Sequence, residues 1–335
     1  MKKSLIALAV LGSLAGAASA QSSVTIYGII DLGVSKLNKG TTAVNGLNAN
    51  ADLIGQKGQW SVRANTSSRL GFRGTEDLGG GMKANFLIEH RFAPDTGNLE
   101  AGATAMWHAS SWVSLSGNFG EVRLGRQYVP NFYVGLAADP WGYDYNVAGA
   151  ANFTRGAGNA AALAAGSPSR ANNQVTYLTP NVSGFTAQVA VAAGEGAATG
   201  RHLGMNVMYA QGPLQAGFGY HDQDNATTLR SWNAMAAYDL GMIRPIVSYS
   251  VATINTLDIT DFTIGATAPM GANGVLKLVY ASMNPDGANN NTKKFGIGYQ
   301  YNLSKRTSLH VDLGSGKTDG LTRLTGYEAG VKHVF

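Results

Sequence analysis

Apolar and polar residues alternate one by one along much of this chain, and the alternation runs to its final residue. The last nine residues are Tyr327-Glu328-Ala329-Gly330-Val331-Lys332-His333-Val334-Phe335. In a strand, Tyr327, Ala329, Val331, His333 and Phe335 would share one face, and Glu328, Gly330, Lys332 and Val334 the other. A soluble sheet gains little from a strand that ends on a bare phenyl ring. A β-barrel in a bilayer gains more, because lipid covers its outer face and aromatic residues collect at its rims.

The opposite end of the chain suits that setting. Lys2 and Lys3 precede an apolar run from Leu5 to Gly16, and Ala18-Ser19-Ala20 stands before Gln21. This is the pattern of a cleaved secretory signal peptide over residues 1–20. The run is too short for a membrane anchor, and no later stretch approaches the roughly 20 apolar residues that a spanning helix needs. The expectation is an exported chain, 21–335, that enters a membrane only as strands. Charged residues are 13% of the total, against about 25% for a typical soluble domain. The mean hydropathy of −0.05 is what an outward-apolar, inward-polar wall averages to. The absence of cysteine excludes a disulfide framework and thiolate metal sites. The net charge of +5 does not point to nucleic acid, because the basic residues are scattered rather than clustered.

Alternating segments fall at 24–32, 61–74, 82–92, 105–116, 121–128, 173–178, 185–193, 202–210, 214–221, 229–239, 243–252, 259–268, 276–282, 295–302, 308–313 and 324–335. Short Gly-rich turns at 76–81, 117–120 and 180–184 take turns with longer intervals, as in outer-membrane barrels. The predicted fold is all-β: a single-domain, 16-stranded antiparallel transmembrane β-barrel, with its first and last strands paired so that no edge is left open in lipid. Parity assigns the faces. Leu70, Phe72, Ala84, Phe86 and Ile88 face lipid, whereas Arg69, Arg73, Lys83, Asn85, Glu89 and Arg91 face inward. A soluble core would not tolerate so charged a face, and sixteen strands leave room for water. The longest interval, 129–171, carries a central Asp139-Pro140-Trp141-Gly142-Tyr143-Asp144 that favours ordered packing over a mobile surface loop.

Several motifs resemble one family. Gln21-Ser22-Ser23-Val24-Thr25-Ile26-Tyr27-Gly28 with Asp31 is similar to the mature start of Gram-negative general porins of the β-proteobacterial and neisserial type. Ser68-Arg69-Leu70-Gly71-Phe72-Arg73-Gly74-Thr75-Glu76-Asp77-Leu78-Gly79-Gly80-Gly81 resembles their most recognisable stretch. Phe119-Gly120-Glu121-Val122-Arg123-Leu124-Gly125-Arg126-Gln127 resembles the run into their third loop, and Arg170 before Asn172-Asn173-Gln174-Val175-Thr176-Tyr177 the strand after it. The resemblance spans the mature chain and implies an outer-membrane homotrimer of water-filled channels. These would pass ions and small hydrophilic solutes by diffusion, with a mild anion preference and no enzymatic activity, cofactor or metal. It implies that loop 129–171 folds into the barrel and constricts it, and that an arginine wall faces acids on that loop. Residue by residue, Arg69, Arg73 and Arg170 match the wall and Arg126 the loop entrance, with Glu89 and Arg91 beside them and Asp139 and Asp144 as the loop acids. Phe335 resembles the terminal aromatic read by the outer-membrane assembly machinery, and lipopolysaccharide would surround the barrel. One departure stands out. Relatives often carry an arginine where this chain has His108-Ala109, which weakens the positive ring.

Other readings compete. Glu89 and Arg91 share a face and could be a local ion pair. A barrel enzyme would need a Ser/His/acid or paired-carboxylate cluster, and the inward inventory is rich in arginine instead. A secreted β-sandwich or adhesin would be soluble without detergent. The six histidines have no helical metal-motif spacing. Leu313-Gly314-Ser315-Gly316-Lys317-Thr318 mimics a phosphate loop, but Val311 occupies its first Gly position and a strand runs straight into a surface loop with no helix after it.

Overall fold

Backbone N–H and C=O groups facing lipid have no water to bond, so a sheet in a bilayer must close on itself. This chain does so. The computed structural model describes residues 23–38, 58–100, 103–144, 147–154, 169–194, 200–224, 228–287 and 291–335. The expected leader at 1–20 lies outside the described residues, as does 155–168 of the long loop. The first half of the sheet contains β1 (Ser23–Lys36), β2 (Trp60–Arg63), β3 (Ser68–Gly79), β4 (Met82–Ala93), β5 (Asn98–Leu99), β6 (Ser110–Gly117) and β7 (Gly120–Tyr128). A helix, α1 (Pro130–Ala138), follows. The second half contains β8 (Arg170–Leu178), β9 (Phe185–Ala192), β10 (Arg201–Gln211), β11 (Leu214–Asp224), β12 (Leu229–Tyr238) and β13 (Arg244–Ile254), then β14 (Leu257–Met270), β15 (Gly274–Pro285), β16 (Thr292–Asn302), β17 (Thr307–Thr318) and β18 (Leu324–Val334).

Each strand pairs antiparallel with its neighbour, and β1 pairs with β18 from Ile29↔Val334 to Lys36↔Tyr327. Two segments do not cross the wall by themselves. β5 is two residues added to β4. β2 and β3 lie end to end along β1, paired through Gly33↔Arg63 and Ile29↔Arg69 respectively. The wall is therefore a closed, sixteen-stranded antiparallel barrel.

The interruption between β2 and β3 departs from the continuous segment expected at 61–74. Side chains replace the missing ladder there. Ser68 Oγ accepts from the Asp31 N–H at 3.0 Å, Asp31 Oδ2 accepts from the Thr66 N–H at 3.3 Å, and the Asn65 amide meets the His310 ring at 3.0 Å. The third strand continues into the expected turn at 76–81 as far as Gly79, so the reversal is made by its last three residues, Gly79, Gly80 and Gly81, all with positive φ, which glycine adopts at no steric cost. Residues 313–318 of the apparent phosphate loop run inside β17.

The seam is closed by the last residue. The Gly28 N–H donates to the Phe335 carbonyl at 3.0 Å, and the Phe335 N–H donates to the Gly28 carbonyl at 3.1 Å. The Phe335 ring fills the space that a side chain at position 28 would need. Val24, Ile26, Val34, Tyr327 and Val331 point outward with their side chains exposed, and Glu328 on the opposite face is 2% exposed.

The inner face is not uniform. On β12–β15 it turns apolar, with Leu229, Ala252, Ile254, Ile259, Val279, Ala281 and Met283 buried beneath Trp141, Ala148, Ala150 and Phe153 of the long loop. Val134 and Ala138 of α1 pack on Met235, Ala237 and Ile246 in the same way. The loop thus carries its own hydrophobic contact with half of the barrel wall, each large side chain worth about 1.5–3 kcal/mol. Inward glycines let it lie close. A Cβ at Gly219 would stand 2.8 Å from Asn131, one at Gly265 2.7 Å from Pro140, and one at Gly298 2.9 Å from Trp141; a Cβ at Gly296 would strike the backbone of Ala148. Gly296→Val should push the loop off its seat while leaving strand pairing intact. We expect a loss of about 1–3 kcal/mol, read as a lower thermal midpoint in detergent, with altered single-channel conductance. An unchanged midpoint and conductance would mean that the loop does not rest on this wall.

Candidate functional site

The wall opposite the seated loop is built from β3, β4, β7 and β8, and their inward positions carry most of the predicted site residues. Strand register explains the grouping. Arg69 stands directly across from Arg91, and Tyr128 directly across from Arg170. Four guanidinium groups, those of Arg69, Arg91, Arg126 and Arg170, are held there by three kinds of contact.

The first is ionic. Arg91 Nε donates to Glu89 Oε1 at 3.1 Å, and Arg69 stands 4.0 Å from the same oxygen. The Tyr27 hydroxyl donates to the other Glu89 oxygen at 2.9 Å. Arg91 is 4% exposed and Glu89 7%, so the ion-pair alternative holds for these two. The second is aromatic. Tyr128 accepts from Arg91, and from Arg170 at 2.6 Å. The Arg170 guanidinium lies 4.2 Å over the Tyr128 ring, a contact that holds a cation without neutralising it. Tyr128 in turn stacks on Phe132 of α1 at 3.9 Å, which ties the arginine wall to the loop. The third is carbonyl bonding. Arg126 donates to the His108 carbonyl, and to Asn172 Oδ1 at 2.6 Å.

Glu100, between β5 and β6, is the second carboxylate of this cluster. It accepts from Ser67 and approaches His108 at 3.2 Å. Burial alone would raise its carboxyl, but the Arg91 charge and the Ser67 and His108 hydrogen bonds hold it below the ordinary range. His108 therefore faces an acid.

The loop acids do not meet the arginines as expected. Asp139 is 4% exposed, and it accepts from the N–H groups of Trp141, Tyr143 and Ala150 at 3.1–3.2 Å. Burial pushes its carboxyl above the ordinary range even against these donors. Asp139 is a folding element of the loop rather than a pore-lining charge, which corrects the sequence expectation. Asp144 points to the β18 wall, where it takes the Lys332 ammonium at 2.7 Å. Arg73 lies nearer the short-turn end of the barrel, over the Tyr27 ring at 5.4 Å.

Sequence reasoning missed several contributors. Tyr128 carried no motif signal beyond its place at the loop entrance. Glu100 lies in an interval read only as a spacer. A second polar cluster, His310 between Asp31 at 3.3 Å and Asp312 at 3.2 Å, holds the loop through the Trp141 indole, which donates to Asp312 at 2.8 Å. Alternation along β17 puts His310 and Asp312 on one face, but it does not show that they meet Asp31. His202 and His221 form a buried pair, with ring centroids 4.7 Å apart.

Removing one member of the Glu89–Arg91 pair strands a buried charge. Arg91→Met should cost about 3–5 kcal/mol, measured as a drop in thermal or denaturant midpoint of the folded barrel. The double variant Glu89→Leu/Arg91→Met should recover part of that loss. A single variant as stable as the parent would show that the pair is solvated.

The chain matches the Gram-negative porin family over residues 7–321. It is 35% identical over 374 aligned positions to outer membrane porin protein 32 of Delftia acidovorans, with both chains covered completely. It is 28% identical, again over the whole of both chains, to an outer membrane porin protein of Bordetella pertussis. Among solved structures it resembles an anion-selective porin from Comamonas acidovorans, with a TM-score of 0.76 and 30% identity over 94% of this chain and 100% of that one. Family and fold point to a channel rather than an enzyme. The chain belongs to the Gram-negative porin family and is an outer-membrane β-barrel channel for passive diffusion.

Proposed function

We propose that this channel passes small hydrophilic solutes with a mild preference for anions, and that its narrowest zone lies between the loop at 129–171 and the wall bearing Arg69, Arg91, Arg126 and Arg170. One observation carries the reading. Four guanidinium groups gather at this level against two carboxylates, Glu89 and Glu100, while Asp139 is buried within the loop and Asp144 is paired with Lys332. The local excess of positive charge favours anions at close range. The similar protein from Comamonas acidovorans is itself described as anion-selective.

The working unit in this reading is a homotrimer. Exposed Val24, Ile26 and Val34 of β1, beside Tyr327 and Val331 of β18, give an apolar outer face suited to lipid or to a second copy. A fold-level relative, OmpT of Vibrio cholerae, has been described in a trimer form. The leader at 1–20 would be removed on export, lipopolysaccharide would contact the outer rim, and Phe335 would be the residue read by the assembly machinery.

The test is the reversal potential in a potassium chloride gradient across a planar bilayer. The parent should show a potential of the sign set by chloride. Arg69→Glu and Arg170→Glu should each shift it toward potassium. A potential that does not move in either variant would place these residues away from the narrowest zone. A cation-selective parent would overturn the anion preference.

A further inference from the structure

On the inner face of β10 and β11, near the long-loop end of both strands, two imidazoles stand together. His202 is 3% exposed and His221 fully buried. Their ring centroids lie 4.7 Å apart, with the planes tilted by 40°. None of the four ring nitrogens has a hydrogen-bond partner among the described residues. Buried polar groups are costly to leave unpaired, and native proteins that bring them together usually hold a water or an ion there.

Strand register makes the pair. Gly204 is directly across from His221, and His202 is directly across from Gln223. The Nε2–Cε1 edge of His202 leans over Gly204, where a Cβ would stand 3.0 Å from both atoms and 2.9 Å from Pro130 at the start of α1. The His202 ring is thus turned toward the position that carries His221. The N-terminus of α1 is seated beside them. Asn206 donates to the Pro130 carbonyl at 2.6 Å, and Asn131 donates to Ser231, the β12 partner of His221, at 3.4 Å.

We infer that His202 and His221 form a binding site for one transition-metal dication of the zinc, nickel or copper kind, beneath the start of the long loop. The chemistry selects the class. Neutral imidazole suits these ions, whereas magnesium and calcium take oxygen ligands. Metal–nitrogen bonds of about 2.0–2.1 Å set two imidazole centroids that share one tetrahedral ion about 5 Å apart, close to the separation seen here. No group of three or more His, Cys, Asp or Glu side chains suited to a metal gathers among the described residues. The ion therefore keeps water in its remaining positions, with the Gln223 amide on the same face as a further donor. Such an ion exchanges with the solution. Its way in is short, because His202 follows the exposed Arg201 at the first position of β10. Once bound, it joins β10 to β11 where α1 rests on them and steadies the seat of the loop. The inference does not depend on the channel reading above.

The test uses untagged, folded protein in detergent, first stripped with a chelator. Zinc is titrated by calorimetry, with calcium and magnesium as comparison ions, and copper(II) reports its ligands by electron paramagnetic resonance. The parent should bind one zinc per chain and neither comparison ion. Its copper spectrum should show coupling to two imidazole nitrogens. His202→Gln and His221→Gln should each weaken zinc binding by about tenfold or more and leave one coupled nitrogen. His90→Gln, on β4, should change neither. Zinc should also raise the thermal midpoint of the parent by a few degrees and leave that of both variants unmoved. If the variants fail to fold, the parent's copper spectrum decides alone. A parent that binds no zinc, a copper spectrum without two coupled nitrogens, or zinc binding unchanged in both histidine variants would overturn the site and assign the gap between the rings to water.

Discussion

Closure of the sheet is the constraint on which the rest of this molecule depends. In lipid every strand edge must find a partner, and here the edges of β1 and β18 find each other from Ile29↔Val334 to Lys36↔Tyr327. The Gly28–Phe335 pair extends the seam to the final residue. The absent side chain at Gly28 makes room for the Phe335 ring, so an aromatic terminus and a glycine from the opposite end of the barrel sequence form one device. Closure also fixes which side chains point inward, and so brings Asp31, Glu328 and Lys332 to the same lumen wall as His310 and Asp312.

With the wall closed, the lumen divides by chemistry. One arc, β12–β15, offers apolar side chains that water would not cover favourably, and the long loop covers them with Trp141, Ala148, Ala150 and Phe153. The other arc, β3, β4, β7 and β8, keeps its charges. In the proposed reading, the open path runs between this hydrophobic seat and the arginine-bearing wall. Tyr128 links the two arcs, because its ring stacks on Phe132 of α1 and its hydroxyl takes two guanidinium groups. The loop acids are used in holding the loop, Asp139 by capping its backbone and Asp144 by reaching Lys332, so the positive wall is balanced mainly by Glu89 and Glu100.

Much of the barrel was legible in the sequence because its physical signal is local. Alternation in Tyr327–Phe335 and around Ser308–Leu313 needs only neighbouring residues, and glycine turns such as Gly79-Gly80-Gly81 announce themselves by backbone freedom. The break between Arg63 and Ser68 did not, because it depends on Asp31, His310 and Glu100, which are distant in the chain. The candidate site was legible in its residue types and not in its pairings. Arginine parity placed Arg69, Arg73 and Arg91 on the inner face, but the burial of Asp139 arises from how the loop folds back on itself. The inward apolar residues Met235, Ile246 and Val279 are explained by the seated loop that covers them, a contact distant in the chain.

The central claim is that an open, water-filled path remains beside the seated loop. It is tested most directly by recording purified, folded protein in a planar bilayer over a series of potassium chloride concentrations. The account predicts discrete conductance steps whose size rises in proportion to the conductivity of the bulk solution. Folded protein that inserts without any steps, or steps that saturate at low salt as in a channel with one tight ion site, would contradict it.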